Sequence, residues 1–591
     1  MSKPKLALIP SGYKSGKVYS ILPNDATGDF DFTRQSIGTR VRKDGLIEEA
    51  KTSGSITNLQ SRSEEFDNSV WTKTRTTITA DQELAPDGTN TADKLTGDGT
   101  GTSYVYDALN FTYPQKYTIS IFVKSINVTT FSIQKFAGGT GVAFFDLSTG
   151  TISSAPTGTM SNPIIESLSN GWFRCSVEHI PTTTGSQNYG FGMQDYNGDQ
   201  FYIWGAMVSE GALSDYIKTE GTTETKTVET FTDVPRLDWL NSNCPSLLLE
   251  PQRTNLQVYS EQFDNAAWGK SNSTIEANTI ISPNGELSAD KLVDTTTSAA
   301  KYIQDVASGL STSSKATFSI FLKQSELSQV ELLCAQNFSP FTNWARCRFD
   351  VSTLSDLGTT IGDFAYEDFG NGWVRLGITG TPTSTSAIIR VTLSKDGTNG
   401  YAGTGTEGIY IFGAQVEQGD YASSYIKTEA STVTRLKDDC HLLNHTLFTD
   451  YPFTVYAKAK IEDVGNTIFS IYGGASNKYL AFLLPSSGVT AAVYRRDATN
   501  NDSDFYNFTY SVGDTIKVAV AFINDTTYKL YINGTEIANV TSGLSVPFDN
   551  NDILLGQFRI SGDDGKRNSI DDFRVYDYTL TDAELTEITT L

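Results

Sequence analysis

Much of this chain is written twice. The residues Asn58-Leu59, Ser63-Glu64, Phe66-Asp67-Asn68, Trp71, Lys73 and Pro86-Asp87-Gly88 recur, at constant offset, as Asn255-Leu256, Ser260-Glu261, Phe263-Asp264-Asn265, Trp268, Lys270 and Pro283-Asn284-Gly285. Ala92-Asp93-Lys94-Leu95 returns as Ala289-Asp290-Lys291-Leu292, and Asn170-Gly171-Trp172 as Asn371-Gly372-Trp373. Both copies close on Tyr-Ile-Lys-Thr-Glu, at Tyr216 to Glu220 and at Tyr425 to Glu429. A repeat of this length makes one supersecondary plan serve twice, so any fold assigned to one copy has to suit the other.

Within a copy the apolar residues alternate, as in Tyr117-Thr118-Ile119-Ser120-Ile121-Phe122-Val123, the period of a strand with one buried face. Such runs are punctuated by Gly, Asn and Thr turns, which predicts a two-sheet antiparallel sandwich of jelly-roll type. The repeat also tests single residues. Cys175 stands where the second copy has Leu376, which marks a packing position, and His179 has no histidine counterpart. Trp172, Trp373, Trp71 and Trp268 read first as core residues and second as sugar-stacking platforms.

Beyond Cys440 the pattern changes. Phe453-Thr454-Val455-Tyr456-Ala457 and Ile516-Lys517-Val518-Ala519-Val520 alternate, Tyr528-Lys529-Leu530-Tyr531-Ile532 runs into the hairpin signal Asn533-Gly534, and Thr581-Asp582-Ala583-Glu584-Leu585 opens a short helix. The expected fold is therefore all-β, with three antiparallel sandwiches and a largely irregular N-terminal region. The boundaries read as an attachment region at 1–55, a first module at 56–222, a linker at 223–254, a second module at 255–430 and a third sandwich at 440–591. The Pro-punctuated linker is expected to pack with the N-terminal segment, the first module being inserted between them.

The formal charge of -23 repels phosphate backbones, and no dense basic stripe overrides it, so nucleic acid is excluded as a partner. No run approaches the roughly 18 apolar residues of a membrane helix, and the start Met1-Ser2-Lys3-Pro4 lacks the apolar core of a secretory signal. The expectation is a chain soluble when made. Five cysteines, at 175, 244, 334, 347 and 440, have neither even number nor metal spacing, so a disulfide framework is not expected.

Two resemblances follow from these strings. The C-terminal region, carried by Lys529-Leu530-Tyr531-Ile532-Asn533-Gly534 and by Ile570-Asp571-Asp572-Phe573-Arg574-Val575-Tyr576, resembles the concanavalin-like, laminin G-like sandwiches. The repeated modules resemble the carbohydrate-binding-module-like sandwiches of tailed-phage structural proteins. Pro4-Lys5-Leu6-Ala7-Leu8-Ile9-Pro10 and Glu250-Pro251-Gln252-Arg253-Thr254-Asn255 are similar to segments of phage fibre-like proteins. The resemblance implies a virion surface protein assembled in a bacterial cytoplasm, attached to other virion proteins through its N-terminal region. It also implies contact with a host-surface glycan or protein, and a homo-oligomer, by analogy a trimer. The competing expectation is a purely structural head or tail connector, with a polysaccharide depolymerase further behind.

Chemistry finds little support in the residues. His179, His441 and His445 lack a metal-site spacing, Asp571 and Asp572 are expected on opposite faces of a strand, and Asp438-Asp439 and Asp563-Asp564 read as solvated turns or calcium ligands. No catalytic residue and no cofactor is assigned, structural calcium being the one metal considered. For binding, the stretch from Arg495 to Tyr506 reads as a loop between strands. There Tyr494, Arg495, Asn501, Asp504 and Tyr506 supply the aromatic, amide and charged groups that sugar recognition combines.

Overall fold

A computed structural model describes the chain apart from residues 1–2, 137–139, 196–197, 212, 241–242, 337–341, 359, 449, 463–464, 474–477, 486–489, 497–500, 542–551 and 558–565 and the side chains of 194, 195, 228, 473, 501 and 502. Antiparallel strands dominate, and helix among the described residues amounts to the α-helix Asp582–Thr589 and a short 3-10 turn at Ser169–Gly171, so the chain is all-β. It divides into two compact units, one of residues Ser53–Glu229 and one that joins Met1–Thr52 to Thr230–Leu591.

The first unit is the first module, two six-stranded sheets face to face. Phe66, Trp71, Val105, Ile119, Ile121, Phe191 and Ile203 fill the space between them. The central strand Tyr117–Ser125 is buried on both faces as far as Val123, where alternation alone implies one. The added cover is aromatic: Phe122, Trp172 and Trp204 form a second cluster on the outer side of that sheet, with both indole N–H groups satisfied, by Leu84 O and Thr91 Oγ1.

The second module, inside the other unit, repeats this plan down to single bonds. Its two sheets have the same strand order. Cys175 faces Ile121 across the ladder as Leu376 faces Ile320. Asn58 donates to Ala206 O and Ile217 O, and Asn255 donates to Ala414 O and Ile426 O. Each buried amide ties the entry strand to the closing segment, which is why both asparagines recur in the sequence. Cys175, Cys334, Cys347 and Cys440 are buried, whereas Cys244 is exposed.

The N-terminal segment departs most from expectation. Instead of an irregular arm it supplies strands to the C-terminal sandwich, called here the body. Leu6–Leu8 pairs with Asn568–Tyr576, and Phe30–Thr33 pairs with Asp439–Leu442. The linker strand Ser246–Leu249 also pairs with Asn568–Tyr576. The body thus comprises an eight-stranded and a nine-stranded sheet assembled from three distant stretches of chain. Leu6, Leu8, Phe30, Phe32, Leu247 and Leu249 share one core with Val455, Phe469, Phe482, Val520 and Phe573. Full burial of each such side chain is worth about 1.5–3 kcal/mol, so the short strands, too brief to hold by themselves, hold by packing. The second module leaves this body and returns through the ribbon of Arg253–Asn255 with Val433–Arg435.

Where these stretches meet lies a wholly buried ion cluster. Arg34 donates to Asp438 at 2.8 Å, Arg236 binds both Glu250 (2.5 Å) and Asp438, and Arg435 lies 3.2 Å from Glu250. Glu250 also accepts from the Ser424 hydroxyl at 2.7 Å. The guanidinium groups hold the Glu250 carboxyl well below the usual carboxylate range against the opposing effect of burial. Asp438, expected in a solvated turn, is instead a structural anchor, because two arginines from the N-terminal segment and the linker neutralise it.

Candidate functional site

The residues singled out for binding do not lie on one loop. Thr490–Arg496 and Asn501–Asn507 are adjacent strands at the edge of the nine-stranded sheet, paired from Thr490 with Asn507 to Arg496 with Asn501. The polar alternation that reads as loop is that of an edge strand, one side of which meets the core while the other faces outward. The five residues therefore separate by face, and the side chain of Asn501 lies outside the described set.

On the inner face Arg495, Asp504 and Tyr506 meet Tyr528 of the opposite sheet. The Tyr528 hydroxyl donates to Asp504 at 2.5 Å and stands 2.5 Å from the Tyr506 hydroxyl. The Arg495 guanidinium lies 4.9 Å above the Tyr528 ring and 3.6 Å from Asp504. Arg495 is buried, and burial together with the neighbouring carboxylate pushes the Tyr528 hydroxyl far above its ordinary range. This cluster closes the end of the core. Arg495, Asp504 and Tyr506 are thus tied to one another through Tyr528 of the opposite sheet.

On the outer face Tyr494 packs edge-to-face on Phe505, ring centroids 5.8 Å apart, and Tyr472 lies 5.7 Å from Tyr479 on the next two strands. Cross-strand register carries the row on, since Tyr472 pairs with Tyr479, Tyr479 with Arg496 and Ala481 with Tyr494. Four aromatic side chains thus run across four successive strands, and Phe505 at the edge is 55% exposed. Small Ala481 and Ala492 stand between them on the same face. Tyr472, Tyr479 and Phe505 were missed from the sequence, although alternating aromatics on neighbouring strands are the pattern that betrays such a row.

The other candidates resolve into structural roles. His179 is buried edge-on to Phe111, with Nε2 3.3 Å from Gln187 Oε1. His441 Nδ1 is 2.5 Å from Asp439, a contact that raises the imidazole pKa, while burial lowers that of His445 to about 4. Asp571 and Asp572 do not alternate: a bulge between the pairs Lys458/Asp572 and Ala459/Ile570 turns both outward, because Ile570 and Phe573 both point into the core. Lys458 holds the first at 2.8 Å and Arg574 the second at 2.6 Å. Asp563-Asp564 lies outside the described residues. Among the described residues no three His, Cys, Asp or Glu side chains stand close enough to hold a metal ion. No described helix is long and apolar enough to cross a membrane.

Residues 436–586 match the family model described as the concanavalin A-like lectin/glucanases superfamily, so the C-terminal domain is concanavalin A-like. No curated protein matches the chain. Among solved structures it is similar to the native heptameric SAP-like pentraxin from Limulus polyphemus, at 17% identity over 23% of this chain and 69% of that one, with TM-score 0.19. Domain 4 of AbnA, a GH43 extracellular arabinanase from Geobacillus stearothermophilus in complex with arabinotriose, matches at 17% identity over 29% and 83%, TM-score 0.23. Domains LG4-5 of the mouse laminin alpha1 chain match at 9% identity over 47% and 86%, TM-score 0.19.

Proposed function

We propose that this chain is a glycan-binding surface protein whose concanavalin A-like body takes sugar on the row Tyr472, Tyr479, Tyr494 and Phe505. The observation that carries the reading is the row itself, since aromatic side chains on one sheet face can stack on the C–H faces of pyranose rings, and the lectin family match supports a sugar-binding role. The reading is one of binding without catalysis. The finer role is adsorption: a fibre or spike of a tailed bacteriophage, homo-oligomeric, binding a host-surface glycan. It rests on the resemblance of the N-terminal and linker strings to phage fibre-like proteins, and oligomers of weak sites gain avidity.

A glycan array probed with the intact chain and with Phe505→Ser and Tyr494→Ala tests the binding role. Each substitution is expected to weaken the retained glycans about tenfold, or about 1.4 kcal/mol, with the melting temperature of Phe505→Ser unchanged. An array blank for the intact chain, or one indifferent to both variants, contradicts it. Immunogold labelling of phage particles tests the location, and particles without label would remove the adsorption role.

A further inference from the structure

A cleft remains that the aromatic row does not use. It lies within one unit, between the strands Asp363–Gly370 and Trp373–Gly380 of the second module and the turn at Val512 and Gly513 of the body, and has a volume of about 460 Å³. Cavities of a few hundred Å³ are the size that bind small ligands. We infer that this cleft is a second binding site, for an uncharged oligosaccharide of two or three sugar residues.

Its shape is built in advance. Arg567, buried at the floor, donates to Ala422 O at 3.0 Å and to Glu367 at 3.2 Å, and lies 3.5 Å from Glu250 of the buried ion cluster. Arg375 beside it donates to Ser423 O at 2.5 Å and to the Ser319 hydroxyl at 3.0 Å. These bonds fix both walls, so the opening is not a gap awaiting closure.

Its charges balance. The lining carries four cations, Lys315, Arg375, Lys460 and Arg567, and four anions, Asp363, Glu367, Asp420 and Glu462. Lys315 pairs with Asp363 at 2.6 Å, Lys460 with Glu462 at 3.2 Å and Arg567 with Glu367. A charged ligand would enter with no net counter-charge and would lose hydration without recompense. Hydroxyl groups suffer no such penalty, since each can donate and accept among paired ions. Among the lining residues Ala365, Ala422, Val512 and the Tyr421 ring offer apolar surface, and the guanidinium carbon of Arg253 lies 5.2 Å from the centroid of that ring.

Gly377 supplies the test. A Cβ built there meets Thr317, Ala422 and Ala365 at 3.7–3.8 Å, ordinary contact, so a longer side chain projects into the cleft without disturbing the strand. Val512 on the opposite wall is 58% exposed, and a Trp there narrows the cleft with little cost to folding. The intact chain, Gly377→Leu, Val512→Trp and Phe505→Ser are applied to an array of neutral di- and trisaccharides and their uronic-acid counterparts. The expected result is at least one neutral oligosaccharide still bound by Phe505→Ser and weakened tenfold or more by both plugging variants. Failure of Phe505→Ser to bind any neutral di- or trisaccharide, indifference to both plugs, or preference for the acidic set overturns the inference. Loss confined to Phe505→Ser would leave the aromatic row standing and remove the cleft, whereas loss confined to the plugs would do the reverse.

Discussion

Lys135 shows what one residue of the repeat can cost. It stands in the first module where the second has Cys334, on the strand facing Phe145 as that cysteine's strand faces Phe349. Its amine is buried 4.5 Å from the Phe111 ring centroid with no hydrogen-bond partner among the described residues, and burial lowers its pKa to about 7. A base with a depressed folded pKa loses stability as pH falls from its unfolded value, about 10.4, to about 7, below which both states are protonated. Lys135→Met is therefore expected to stabilise the first module at pH 7 by on the order of 2–4 kcal/mol, read as slower amide exchange in Tyr117–Ser125 of the intact chain. Unchanged or faster exchange contradicts this.

Asp93 works in the opposite pH direction. It accepts from the backbone N–H of Phe66 and Asp81, yet burial raises its pKa to about 7, and its counterpart Asp290 rises to about 6. A carboxyl that holds its proton more tightly when folded contributes stability at acidic pH, and that contribution is lost as pH rises toward about 7. His179, whose pKa burial lowers, works against it as pH falls through the ordinary imidazole range. Asp93→Asn should flatten the fall in first-module protection between pH 5 and pH 7, and an unaltered slope would assign it elsewhere. The aspartates were visible as repeated letters, but their burial was not, because a sequence does not say which polar residue of a strand faces inward.

At the scale of the element, turn and cap chemistry was the most legible part. Asn533 and Gly534 both take positive φ, 49° and 80°, in the hairpin that Asn-Gly announces. The helix Asp582–Thr589 carries a full capping box, Thr581 with Glu584. Thr581→Ala should cost about 1 kcal/mol, measured by chemical denaturation, and no change would mean that the helix is held by Leu585 packing alone. Strand faces were less legible. The edge strand Asn501–Asn507 has a polar residue at nearly every position and so reads as loop, and the bulge beside Asp571 breaks the alternation on which face assignments depend.

The whole molecule was the least legible scale. Leu6-Ala7-Leu8 is three residues long and buried throughout, with neither period nor length to mark a strand, and its partner Phe573 to Val575 lies near the other end of the chain. Only the paired core explains it. The ion cluster was hidden for the same reason, its arginines and acids being scattered from Arg34 to Asp438. Breaking one buried pair strands the other charge, so Asp438→Ala should destabilise the body by about 3–5 kcal/mol, while a loss below 1 kcal/mol would make the cluster incidental. The most direct test of the composite body is amide exchange across Phe453–Ile461 and Thr515–Phe522 after deletion of residues 1–33. A body made from three stretches of chain predicts that both strands lose protection together, and protection equal to that of the intact chain would show that the C-terminal stretch folds without its N-terminal strands.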